Sequence, residues 1–255
     1  MTLKIYADRM SQPSRAVIIF CKMNGIDYEE IKVHISKGQH LTSEFAGSCD
    51  TTNLLAVLIK GLSIYFSRFH IWFESATQIV NRFSCPVLRY PADVSRRSRI
   101  HSVLDWHHSN LRRGAATYVF NTTIAPVLGR PLNPQAAAVA EPILSSALSK
   151  LESFWLKGNG RFLLGGNQPS IADLSLVCAI MQLEVLDEKE RARLLGPHKK
   201  IQQWIEITRN ATSPHFDEVH KVLMKAKEKL QNQRLKAAKN EEGGSDMKKA
   251  LPSRL

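Results

Sequence analysis

The chain has 255 residues, 44% hydrophobic and 23% charged, a balance that suits one large domain or two ordinary ones and excludes disorder along its whole length. Its formal charge of +12 is uneven: from Lys221 to Leu255 ten Lys or Arg stand against four Asp or Glu, so half of the excess lies in this tail. Such a surface attracts nucleic acid or anionic lipid, but the tail lacks the aromatic interleaving that base stacking needs, and nucleic-acid binding is not expected.

The start, MTLKIYADRM, has no basic segment leading into an apolar run, so no secretory signal is expected. Leu3 to Ala7 alternates as a strand does, and the apolar run from Arg15 to Asn24, closed by Gly25, predicts a helix over 13–24 with Pro13 in its first turn. Ser11 then lies just ahead of a helix N-terminus, where unpaired N–H groups and the macrodipole favour negative charge. Two readings stand side by side: Ser11 only caps the helix, or it holds a phosphate, carboxylate or thiolate. Ile31 and Val33 alternate with polar residues, which predicts a second strand parallel to the first. Cys21, Cys49, Cys85 and Cys178 are widely scattered and read as reduced thiols in an intracellular compartment, with Cys21 in the core.

The apolar stretch from Leu54 to Phe73 is interrupted by Lys60, Arg68 and His70, so no membrane span is expected there. From about Ser95 the pattern becomes helical. Ile100, Val103, Leu104, His107, Leu111 and Ala115 trace one face of a long helix, and Val139, Ile143, Ala147, Leu151, Phe154 and Trp155 trace a second. Ser170 and Asp173 form a capping box with Asp in place of Glu, ahead of LSLVCAIMQLEVL, a helix apolar all round and so central to the helical part. Further helical stripes run through Ile201, Trp204, Ile205 and Thr208, and through Phe216, Val219 and Leu223. Residues 226–255, rich in Lys, Glu and Gln, are expected to form a basic, disordered tail. Its end, Ser253, Arg254 and Leu255, is a conservative variant of the peroxisomal S-K-L address. The expected localisation is the peroxisome, with cytoplasm or nucleus as the alternative.

Several segments, in order, carry a resemblance. YADRMSQPSRAVIIF, KGQHL, HSVLDWHHSNLRRGAA, LKGNGRFLLGGNQPSIADLSLVC and the group Trp204, Ile205, Glu206 and Thr208 resemble the theta class of glutathione S-transferases, in particular its plant members, over roughly residues 1–45 and 73–235. The resemblance implies an α/β plus all-α chain: a thioredoxin-like glutathione-binding domain over 1–90 packed on an α-helical domain over 95–225, usually as a homodimer. It implies detoxification chemistry, with glutathione as cosubstrate conjugated to hydrophobic electrophiles or used to reduce organic hydroperoxides. Ser11 matches the serine whose hydroxyl stabilises the glutathione thiolate, with Gln12 beside it. His40 and Leu41 match the segment that approaches the glycyl end, and Glu74 and Ser75 match the carboxylate and hydroxyl that hold the γ-glutamyl group. Arg112 and Arg113 resemble a pair at the electrophile pocket, where one stabilises a leaving anion, although a solvated cationic helix face reads as well. His101, His107 and His108 lack a ligand spacing and are read as structural, so no metal is expected.

Residues 46–72 depart from that pattern. The family shows an Asn-Pro-x-Gly-x-Val-Pro run there, with a cis proline whose neighbouring backbone pairs with the cysteinyl part of glutathione. This chain has no proline between Pro13 and Pro86. The alternative to an active enzyme is therefore a catalytically impaired relative that serves as a binding or dimer-partner protein.

Overall fold

The computed structural model describes residues 3–43, 45, 91, 93–158 and 160–249, of which 237–249 are described as backbone. The Cys49 and Cys85 thiols, the 46–72 departure and the Leu54–Phe73 stretch lie outside the described residues. Strand β1 (Leu3–Ala7) buries Leu3, Ile5 and Ala7 and exposes Lys4, as its alternation predicts. Helix α1 (Gln12–Met23) crosses to β2 (Tyr28–Lys32), which pairs parallel to β1 in the register Leu3 to Tyr28 through Ala7 to Lys32. Asn24 ends the helix and Gly25 takes φ +62°, the left-handed conformation that a side chain resists. Residues Ser14 to Cys21 are all buried because α1 is covered twice, by the sheet and by the helical part.

The helical part opens with α2 (Val94–His107), capped where Asp93 Oδ2 accepts from the Arg96 amide at 2.7 Å. A wide π-helical turn over His108–Arg112 leads into α3 (Arg113–Val119), followed by a second wide turn over Phe120–Ile124. Ile100, Val103, Leu104, His107, Leu111 and Ala115 are all buried, as their spacing predicts. Helix α4 (Pro134–Lys150) starts at Asn133, whose side chain accepts from the Ala136 amide at 3.0 Å.

The predicted stripe along α4 and the wide turn Leu151–Trp155 that follows it is buried at Ala147 and Leu151 and corrected at Val139 and Phe154, which are 64% and 55% exposed; Ala137, Ala140, Leu144 and Leu148 are buried beside it. The cause is close approach: a Cβ added to Gly114 of α3 would lie 2.7 Å from the backbone nitrogen of Leu144. Backbones that near require small residues at the contact, so the side of α4 that carries Ala137, Ala140 and Ala147, with Leu144 and Leu148, turns inward and Val139 outward.

Helix α5 (Ile171–Ile180) is buried at every residue and forms the centre of the helical part, packing against α1. Cys21 and Cys178 are buried thiols of these two helices, in no disulfide among the described residues. A short 3-10 segment, Met181–Val185, leads to α6 (Glu188–Leu195), α7 (Lys199–Ala211) and α8 (His215–Lys249). In the described part of residues 226–255, α8 runs on through Lys249. Lys, Ala, Leu, Gln and Glu are good helix formers. Lys227 pairs with Glu184, Arg234 Nη2 donates to the Val185 carbonyl at 3.1 Å, and Leu230 packs against the core. Those contacts supply the tertiary anchorage that an isolated helix lacks. Among the described residues no helix is long and apolar enough to cross a membrane.

Candidate functional site

The end of β1 delivers a loop, Asp8 to Ser11, to the start of α1. Ser11 has extended backbone (φ −81°, ψ 133°) and is 6% exposed, and its amide donates to the Asp8 carbonyl at 2.8 Å. Its side chain makes no capping hydrogen bond. The bond that defines a pure cap is thus unmade, and the hydroxyl stands at the positive end of a twelve-residue helix. Gln12, the first residue of α1, is buried beside it.

Asp8 organises this corner. One carboxylate oxygen accepts from the Met10 amide at 2.9 Å, the other from the Ile35 amide at 3.1 Å. His40, in the short 3-10 turn Gln39–Leu41, lies within reach of the Asp8 charge: burial lowers its pKa and Asp8 opposes the shift. The structure therefore brings the His40 turn and the Ser11 loop to one carboxylate. His40 Nδ1 is buried without a hydrogen-bond partner among the described residues. Leu41 is 71% exposed. Glu74 and Ser75 lie outside the described residues, as do Ser253, Arg254 and Leu255. Asp8 was not singled out in the sequence, although its place at the end of β1 was visible.

The predicted arginine pair is split. Arg112, at the end of the wide turn, is partly buried, and burial pushes its pKa down to about 10, whereas Arg113 is exposed. His107 and His108 sit beside Arg112, and burial, with the Arg112 charge adding to it, pushes both imidazoles down to about 3. These histidines are therefore neutral at ordinary pH. Among the described residues no three His, Cys, Asp or Glu side chains gather as a metal-binding group.

Ser170 and Asp173 serve the interior. The fully buried Asp173 carboxylate accepts from the Ser170 amide at 2.8 Å, the Ser170 hydroxyl at 2.7 Å, the Leu163 amide at 2.9 Å and Trp204 Nε1 at 2.9 Å. One side chain thus joins the start of α5, the preceding loop and α7. A cleft of about 630 Å³ opens between Asp93, Ser95, Arg96 and Arg99 on α2 and Leu164, Gly165, Asn167 and Gln168, and it includes no residue singled out in the sequence.

The family described as glutathione S-transferase, C-terminal domain, matches residues 134–206. Glutathione S-transferase T1 of Arabidopsis thaliana is 56% identical over 235 residues, covering 92% of this chain and 94% of that protein. Glutathione S-transferase T2 of the same plant is 55% identical over 245 residues, 95% of this chain, yet the chain spans only 40% of that longer protein. Among solved structures, the human theta class glutathione transferase in complex with the glutathione conjugate of 1-menaphthyl sulfate superposes with a TM-score of 0.71 at 27% identity, covering 92% of each chain. On the agreement of fold and sequence with these proteins, the chain belongs to the theta class of the glutathione S-transferase family.

Proposed function

We propose that this protein binds glutathione at the Ser11 corner and transfers it to hydrophobic electrophiles, and that it also reduces organic hydroperoxides. The observation that carries the reading is the Ser11 hydroxyl, held at the N-terminus of α1 and unused as a cap. A free thiol with a pKa of about 8.5 is mostly protonated at neutral pH, and a donated O–H bond beside a helix N-terminus lowers that value. The thiolate then attacks the electrophilic carbon and expels the leaving group as an anion, or attacks the O–O bond of a hydroperoxide, which breaks to release the alcohol and leaves a sulfenic acid that a second glutathione converts to the disulfide and water. Ser11 activates the thiolate without itself forming a covalent bond.

In this reading Gln12, His40 and Leu41 line the glutathione site, with Glu74 and Ser75 at its γ-glutamyl end. Arg112 and Arg113 stand at the electrophile pocket, with Arg112, the more buried of the two, facing the leaving anion. The protein acts as a homodimer and is directed to the peroxisome by Ser253, Arg254 and Leu255.

Retention on immobilised glutathione, together with reduction of cumene hydroperoxide, tests the reading. Ser11→Ala is expected to abolish turnover while retaining the fold. A second reading rests on the missing proline in 46–72: a glutathione-binding or dimer-partner protein without turnover. Retention without turnover in the wild-type protein selects that reading.

A further inference from the structure

Arg15 is wholly buried. It sits one turn into α1, and helical side chains lean toward the N-terminus, so its guanidinium reaches back past Ser11. Nη1 donates to the carbonyls of Arg9 at 3.0 Å and Met10 at 2.9 Å, the two residues immediately ahead of Ser11. Nη2 donates to the Cys178 carbonyl in α5 at 2.9 Å and to Gln182 Oε1, just beyond α5, at 3.1 Å. Nε has no partner among the described residues.

Among the described residues no carboxylate hydrogen-bonds to this cation. The ionisable groups around it are Asp8 in the loop, Cys178 from α5 and His220 from α8. Burying a cation without a carboxylate is costly, and an apolar side chain of similar volume would fill the space more cheaply. Packing alone therefore does not account for Arg15. What an apolar residue cannot do is hold four acceptors in a planar fork. Arg9 also ties the loop outward, forking onto Glu30 of β2 at 2.9 and 2.7 Å, and Asp8 Oδ2 accepts from the Ile35 amide at 3.1 Å, but these hold side chains on the sheet side, whereas Arg15 holds the loop's own carbonyls on α5.

Resting on the reading of Ser11 as the thiolate-stabilising donor, we propose that Arg15 is the positioning residue for that hydroxyl, clamping the backbone just ahead of Ser11 onto α5. The helical part then sets where the hydroxyl stands. A displaced donor loses its grip on the thiolate even though every atom of Ser11 remains.

The test compares full-length wild type, Arg15→Lys, Arg15→Met and Gln182→Met. Amide hydrogen exchange across residues 8–14 needs no ligand. Arg15→Lys and Gln182→Met are expected to speed exchange at Met10 and Ser11 about tenfold, with the β1 and β2 amides unchanged. Where glutathione binds, the pKa of its thiol, read from thiolate absorbance, is expected to rise by about one unit. Hydroperoxide turnover then falls about tenfold at neutral pH and recovers at alkaline pH, with KM for glutathione changed less than about threefold. Loop exchange equal to wild type in both Arg15→Lys and Gln182→Met overturns the proposal, as does acceleration shared by the whole molecule. So does an unmoved thiol pKa beside a lowered melting point. If Arg15→Met does not fold, Gln182→Met carries the comparison with the arginine intact. Wild-type protein that binds no glutathione sinks the functional reading, and the exchange data still decide whether Arg15 holds the loop.

Discussion

The indole Nε1 of Trp204 donates to Asp173 Oδ1 at 2.9 Å, the same oxygen that accepts the Leu163 amide. Helix α7 is thereby joined to the first turn of α5, across 31 positions of sequence. Asp173→Ala leaves four donors without their acceptor in a dry interior and is expected to cost about 3 kcal/mol or more in urea unfolding. Trp204→Phe removes one of the four and is expected to cost about 1–2 kcal/mol. Equal effects of the two substitutions would show that the carboxylate is not the hub.

Ser11→Ala separates chemistry from folding. Removing a cap bond costs about 1 kcal/mol, but Ser11 makes none. The thermal midpoint is therefore expected to stay within about 2 °C of wild type, with turnover lost. A fall well beyond that range in a melting curve would restore the cap reading.

Gly114 and Gly25 respond differently to alanine. At Gly114 the new Cβ meets the Leu144 backbone at 2.7 Å, and backbone cannot swing aside. An overpacking loss of about 2–3 kcal/mol is expected. At Gly25 the Cβ meets nothing within 4 Å, and only the φ of +62° resists. About 1 kcal/mol is expected there. Chemical denaturation of the two single variants checks the order.

Stability is expected to fall on mild acidification. His107 and His220 are both pushed down to about 3 by burial first, with the Arg112 charge adding at His107 and the Arg15 charge at His220. The unfolded chain protonates each below about 6.5, whereas the folded chain does so only near 3, so the unfolded state binds more protons throughout that window. Stability is full above pH 6.5 and is lost as pH drops toward 3, by at most about 1.4 kcal/mol per pH unit for each histidine. Urea midpoints between pH 7 and 5.5, above the carboxylate range, read this slope. His107→Leu and His220→Leu should each flatten it.

Deleting the residues after Lys225 tests the anchored tail. Helix α8 continues to Lys249, held by Lys227 on Glu184 and Arg234 on Val185. Mean helicity per residue in circular dichroism is expected to fall on truncation. Removal of a disordered tail would raise it.

Much of the fold was legible because its signals are local. Alternation set β1, a run closed by glycine set α1, and spacings of three and four set the inner face of α2 and α3. On the second stripe the spacing placed Ala147 and Leu151 correctly but Val139 and Phe154, which are exposed, on the wrong side. Which side is buried depended on how near Gly114 lets two backbones come. The contacts of Lys227 and Arg234 were not legible for a related reason: composition carries no record of Glu184 and Val185, their distant acceptors.

At the candidate site the sequence alone determined the strand, the turn and the helix start that carry Ser11, because those depend on neighbours a few positions away. Only the tertiary structure decided that the hydroxyl is unspent as a cap, that Asp8 joins the His40 turn to the same corner, and that Arg15 ties the loop to α5. Each of these joins residues whose separation along the chain leaves no periodic trace. They meet because burying α1 between sheet and helices leaves the guanidinium no water and only carbonyl and amide oxygens to satisfy it.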